Sequence, residues 1–185
     1  MKSPNQSLSR QLARLGGDQR GVSAVEFAMI LPLMITLYLG AVEVSQGIGI
    51  DRKVTLTTRT IADLTSQVTS VTSSDMSSIL NASAQVMMPY DSSKLKTTVS
   101  QVKIDANSTA TIDWSCTLNG TKRSTGSAVS LPSALAIASS YLIWSEVAYS
   151  YKPTIGYVVT GTLNLSDQIY MRPRQSNNVT LSGSC

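Results

Sequence analysis

Hydrophobic positions follow two different rhythms along this chain. From Phe27 to Val42 they are continuous, a run of sixteen residues without charge bracketed by Glu26 and Glu43. Beyond Glu43 the uncharged stretch resumes and lasts to Ile50, before Asp51. At 1.5 Å per residue, Val22 to Ile50 makes a helix of about 43 Å, enough to cross the roughly 30 Å hydrocarbon layer of a bilayer. Pro32 lies inside it, a residue that membrane helices tolerate better than soluble ones. Val54, Ile61, Leu64, Val68 and Val71 then recur at helical spacings on one face, so the pattern predicts that the helix continues beyond the apolar run, to residue 72.

After residue 72 the rhythm changes. Ser73-Ser74-Asp75 offers a cap for a second, shorter helix through about Val86, closed by Met87-Met88-Pro89. The period then becomes two. Leu95, Thr97, Val99 and Gln101 alternate with polar neighbours, and Val102 and Ile104 break the phase, which suggests a bulge. Ala110, Ile112, Trp114 and Cys116 are expected on one face of the next strand, joined to the first by a turn over Asp105–Ser108. Leu118 to Ser130 reads as a Gly, Ser and Thr-rich loop. Tyr141 to Tyr151 is a strong strand pattern, with Tyr141, Ile143, Val147 and Tyr149 on one face, and Leu163 to Met171 is a fourth strand. Long helix followed by a small antiparallel sheet is an α+β order. The predicted organisation is a leader over 1–21, a transmembrane and extended amphipathic helix over 22–72, and an exported α+β domain over 73–185.

Charge gives this plan a direction. Lys2, Arg10, Arg14 and Arg20 precede the apolar run against Asp18 alone, so the N-terminus is expected to stay in the cytoplasm and the bulk of the chain to face the periplasm. Arg52, Lys53 and Arg59 on the far side weaken that asymmetry without reversing it. The net charge of +4 is therefore largely a property of the leader. No basic stripe marks a folded face, which argues against a nucleic-acid partner; pairs such as Lys122-Arg123 read as solvated surface. A cleaved secretory signal is the plainer alternative for the N-terminus. The apolar run is longer than a usual core of about 7–15 residues, and no Ala-x-Ala site follows it.

Candidate chemistry is sparse. Histidine is absent and there are two cysteines, Cys116 and Cys185, which excludes the usual zinc patterns and any Ser-His-Asp or Cys-His nucleophile. Asp113 and Glu146 could serve a hydrolase, but neither sits in a catalytic motif; no cofactor, no metal site and no enzyme activity are predicted. Trp114, Trp144 and the tyrosines of 141–157 could form a binding surface, or the aromatic core of the sheet; the core reading is preferred.

The most informative string is Arg20-Gly21-Val22-Ser23-Ala24-Val25-Glu26-Phe27-Ala28. A basic leader ends in glycine, an apolar helix begins at once, and its fifth residue is a carboxylate, which is costly in a membrane helix. This resembles the leader of type IV prepilins and pseudopilins. The wider pattern RGVSAVEFAMILPLMITLYLGAVEVSQ resembles the opening of TadE/TadG-like proteins, the minor pseudopilin-like parts of the Tad (Flp) pilus machine. So does the region from Tyr141 to Arg174, with its tyrosine-rich strand and Tyr170-Met171-Arg172-Pro173-Arg174 ending. The chain departs from a major Flp pilin in carrying Phe27 after Glu26 and in its large attached domain.

The resemblance implies a pilin-like fold and cleavage between Gly21 and Val22 by a prepilin peptidase. It also implies an assembly role for Glu26, with Phe27 beside it, by pairing with the terminal ammonium of a neighbouring pilin or pseudopilin subunit. It places the chain in the inner membrane of a Gram-negative bacterium, with incorporation into an extracellular pilus as a further expectation, in surface attachment and adhesion. A membrane-anchored periplasmic binding or sensing domain is the alternative. In an oxidising compartment two cysteines most simply form one bridge, Cys116 to Cys185, and disulfides near the C-terminus of pilin domains add support. Otherwise Cys116 is a buried small hydrophobe and Cys185 is free or pairs with another chain.

Overall fold

The computed structural model describes residues 20–153, 156 and 160–185. Helix α1 spans Arg20–Ser66, a rod of about 70 Å at 1.5 Å per residue. Strand β1 (Ser70–Thr72) and helix α2 (Ser73–Met87) follow, then a short 3-10 turn at Ser92–Lys94. Strands β2 (Leu95–Ile104), β3 (Ala110–Leu118), β4 (Ser140–Tyr151) and β5 (Leu163–Met171) form an antiparallel sheet in the order β3-β2-β4-β5. The tail ends in β6 (Thr180–Ser182), which pairs with β1 in parallel. The architecture is α+β, a long N-terminal helix followed by a small antiparallel sheet. Residues 1–19 of the expected leader, and Tyr157 of the expected aromatic group, lie outside the described residues.

The helix ends earlier than its periodicity suggested. Val68 and Val71 do join the core, but Val71 does so from β1, where it faces Leu181. The tail is what stops the helix. The Arg174 N–H donates to the Ser66 carbonyl at 2.8 Å, the Arg174 guanidinium reaches the Asp63 carboxylate at 2.6 Å, and β6 supplies the ladder for residues 70–72. A cation at a helix C-terminus also suits the negative end of the helix dipole. The α2 cap sits one residue before the expected serines: the Thr72 hydroxyl accepts from the Asp75 N–H, and the Asp75 carboxylate accepts from the Thr72 N–H. This reciprocal pair satisfies two of the donors that a helix start leaves open.

One face of the sheet lies under α1 and α2. It holds two clusters, one of Ile61, Met76, Leu80, Val99, Trp114, Cys116 and Ile143, the other of Ile50, Val54, Met87, Leu95, Val147 and Tyr149. Buried threonines on α1 would be costly here if left unpaired. Thr57, Thr58 and Thr65 instead donate to the carbonyls of Lys53, Val54 and Ile61, one turn back. The opposite face is covered at one end by Val129, Leu131 and Leu135 of the β3–β4 connection, which pack on Val102, Ile104, Ala110, Ile112, Leu142 and Trp144.

The four residues expected on one face of β3 therefore divide. Trp114 and Cys116 point to the helices, Ala110 and Ile112 to the opposite side. The cause is a register shift: Gln101 pairs with Trp114, but Val102 pairs with Ile112, leaving Asp113 as an extra residue in β3. Strand β2 itself runs regularly against β4 from Leu95 to Ile104. Its change of hydrophobic phase reflects a change in which face is covered, and the bulge belongs to its neighbour. The turn between them is held by the Asp105 carboxylate, which accepts from the N–H groups of Asn107 and Thr109, while Ser108 takes the left-handed conformation at φ 61°.

Candidate functional site

Every residue from Gly21 to Thr36 except the half-buried Thr36 is exposed, including Val22, Glu26, Phe27, Met29, Leu33 and Met34. Within this stretch the uncharged run from Phe27 to Ile35 is apolar and exposed, and large exposed apolar patches mark interaction or membrane surfaces. This helix is long and apolar enough to cross a membrane. The Thr36 hydroxyl donates to the Pro32 carbonyl at 2.8 Å and so brings no unpaired polar group to that surface.

Gly40 is the first buried residue of α1, and the domain is on the helix by Glu43, which lines a cleft with Leu163 and Leu165. Glu43 is only 2% exposed, and Ile50, Val54, Thr57, Thr58 and Ile61 continue the buried face. Two glycines allow close approach: a side chain at Gly47 would contact the Tyr151 ring, and one at Gly49 would come within 3.0 Å of the Tyr90 hydroxyl. The Tyr151 hydroxyl bonds Gln46 at 3.3 Å. Burial, then the nearby Glu43 carboxylate, pushes the Tyr151 hydroxyl above its usual range.

Residues 21–63 match the family model of TadE-like proteins. No curated protein and no solved structure matches the chain. The TadE-like stretch contains Gly21, Val22, Glu26 and Phe27 together with the whole exposed apolar run, and it continues along the buried face to Asp63, the residue that Arg174 bridges. The match thus joins the unpacked half of α1 to the half that carries the domain.

Within the domain the remaining candidates are structural. The Trp114 indole is 7% exposed and donates to the Val179 carbonyl at 2.8 Å. Trp144 donates to the Gln168 side chain at 3.1 Å and stacks on Tyr170, with ring centroids 5.3 Å apart. Arg123, read from the sequence as solvated surface, lies over the Trp144 ring at 3.8 Å and makes two hydrogen bonds to Glu146, at 2.8 and 2.7 Å. Glu146 is thereby occupied as a structural counter-ion. Asp113 accepts from Gln101 at 2.6 Å. Among the described residues no group of three or more acidic, histidine or cysteine side chains is placed to hold a metal.

Cys116 and Cys185 are joined in a disulfide, with Cα atoms 5.3 Å apart. Beside it a polar cleft of about 630 Å³ opens between Lys122–Thr125 and the tail from Asn178. Sequence reasoning missed the roles of Arg123 and Arg174, and it placed Gln101 in phase with Leu95, Thr97 and Val99 without its partners. Arg174 carried a signal, in the Tyr170–Arg174 string; Arg123 is read only from its contacts.

Proposed function

We propose that this chain is a structural, non-enzymatic component of Tad pilus biogenesis, a minor pseudopilin-like subunit anchored in the inner membrane by α1. The TadE-like family implies involvement in the Tad pilus system. The observation that carries the reading is the coincidence of that match with an unpacked apolar helix bearing Glu26 near its start. On this reading the N-terminus lies in the cytoplasm and the domain in the periplasm. A prepilin peptidase removes the leader after Gly21, and the freed ammonium on Val22 sits near the membrane. Glu26 then pairs with such an ammonium on a neighbouring pilin or pseudopilin subunit. A lone carboxylate in lipid is costly, so the pairing selects one axial register of helix against helix.

Mass measurement of the membrane-extracted protein tests the processing. Mature chain should begin at Val22, and a bulky residue at Gly21 should leave the precursor intact. A full-length leader in cells with active prepilin peptidase would overturn this step. Glu26→Ala should insert into the membrane at least as well as the parent, because a charge has left the apolar helix, yet fail in pilus assembly. Normal piliation by that variant would reduce Glu26 to an interfacial residue.

A further inference from the structure

We propose that the base of the folded domain rests in the outer headgroup layer of the same bilayer that α1 crosses, so that the domain stands on lipid as well as on its helix. The inference rests on reading α1 as the membrane span. Its first support is length. A hydrocarbon layer of roughly 30 Å takes about 20 helical residues. Counted from Gly21 it ends at Gly40; counted from Phe27 it ends at Gln46. The domain is already packed on α1 at Glu43, which is covered and shares a cleft with Leu163 and Leu165. In either register the lipid surface meets the domain's lower edge, and no exposed linker separates the two.

The second support is the character of that edge. Glu43 is covered, and Gln46 is engaged by Tyr151, so the first exposed charge on α1 after Glu26 is Asp51. Folding therefore lengthens the part of the helix without an exposed charge from the sixteen residues Phe27–Val42 to the stretch Phe27–Ile50, about 36 Å at 1.5 Å per residue. Around the same level exposed apolar side chains stand among polar ones, Gln46, Asp51, Asp91 and Lys152. Val44, Ile48, Met88 and Leu163 are 48%, 50%, 60% and 40% exposed. Val44, Ile48 and Leu163 line one shallow cleft of about 270 Å³ between α1 and the start of β5. Tyr151, which is buried, and the half-buried Tyr90 pack beside α1 at Gly47 and Gly49, just inside this edge. The occupant that fits apolar side chains set among polar ones around a helix leaving the bilayer is the bilayer's own interfacial layer.

The test uses the full chain in liposomes containing brominated phosphatidylcholine, with single tryptophans added to the native background. Ile35→Trp reports on the span, Met88→Trp and Leu163→Trp on the base, and Lys103→Trp on the far end of the sheet. All four positions are exposed. The expected result is loss of the added fluorescence to brominated lipid at Ile35, Met88 and Leu163, with Lys103→Trp quenched no more than the parent. Quenching at Ile35 without quenching at Met88 and Leu163 would show a domain standing clear of the membrane and would overturn the inference alone. No quenching at Ile35 would overturn the span, and the proposed function with it. Quenching at Lys103 as well would show a domain lying flat on the surface, and would also overturn the inference.

Discussion

Three tyrosines show how burial tunes single groups in this domain. The hydroxyls of Tyr149, Tyr151 and Tyr170 are all raised above the usual 10.0, mainly because burial penalises the phenolate; the carboxylates of Asp91, Glu43 and Glu146 respectively add to this. A group whose value is raised in the fold contributes stability that is fully present below its unfolded value and is lost as pH rises through the raised one. Melting temperature should therefore fall as pH climbs above 10.0, the ordinary tyrosine value. Tyr170→Phe should reduce that alkaline loss while keeping the ring on Trp144. Thermal melts from neutral to alkaline pH check both; an unchanged alkaline slope in the variant would mean that Tyr170 does not contribute. The Arg123–Glu146 pair is a weaker lever, since its side chains are 38% and 28% exposed and exposed ion pairs are worth little.

Among the elements, β3 and the tail depend on one side chain. Gln101 is fully buried, and its amide accepts from the Val179 N–H at 2.7 Å while donating to Asp113 at 2.6 Å. It therefore holds the bulged residue of β3 with one end and the start of β6 with the other. Gln101→Leu fills similar space but strands the Val179 N–H. A buried donor without a partner costs about 1–3 kcal/mol, and urea denaturation should show a loss of that order. A loss near zero would mean that the tail finds another acceptor. The same elements show where sequence patterns stop. The limits of β5, the apolar run of α1 and the face of β4 that holds Ile143, Val147 and Tyr149 were legible, because each is a local period of side chains. The division of Ala110 and Ile112 from Trp114 and Cys116 was not, because one extra backbone residue turns the following side chains to the other face.

For the whole molecule, the disulfide is the covalent tie between β3 and the tail. Its cysteines are 69 residues apart, and a loop of that size stabilises by about 4 kcal/mol in the chain-entropy picture. The tail has other ties: the β1–β6 ladder, the Trp114 bond to Val179, and the Ser73 hydroxyl donating to the Ser184 carbonyl at 3.0 Å. Cys185→Ser should thus lower the melting temperature without abolishing the fold. Hydrogen exchange should rise first over Thr180–Ser182 and Ser70–Thr72, with β2 and β4 still protected. Equal loss of protection across the four-stranded sheet would show that the bridge supports the core itself.

By itself the sequence determined the elements whose causes are local: the membrane-length apolar helix, the turn at Asp105 and the order of helix before sheet. Hydrophobic period and charge-free length suffice for these, since they depend on neighbours within a few residues. Only the tertiary structure decided where α1 stops, because Arg174 and β6 come from more than a hundred residues further along the chain. It also decided that Glu43 is covered, that Arg123 lies on Trp144, and that the domain is on the helix by Glu43. These depend on which distant side chain arrives at a given place, and a local pattern does not carry that information.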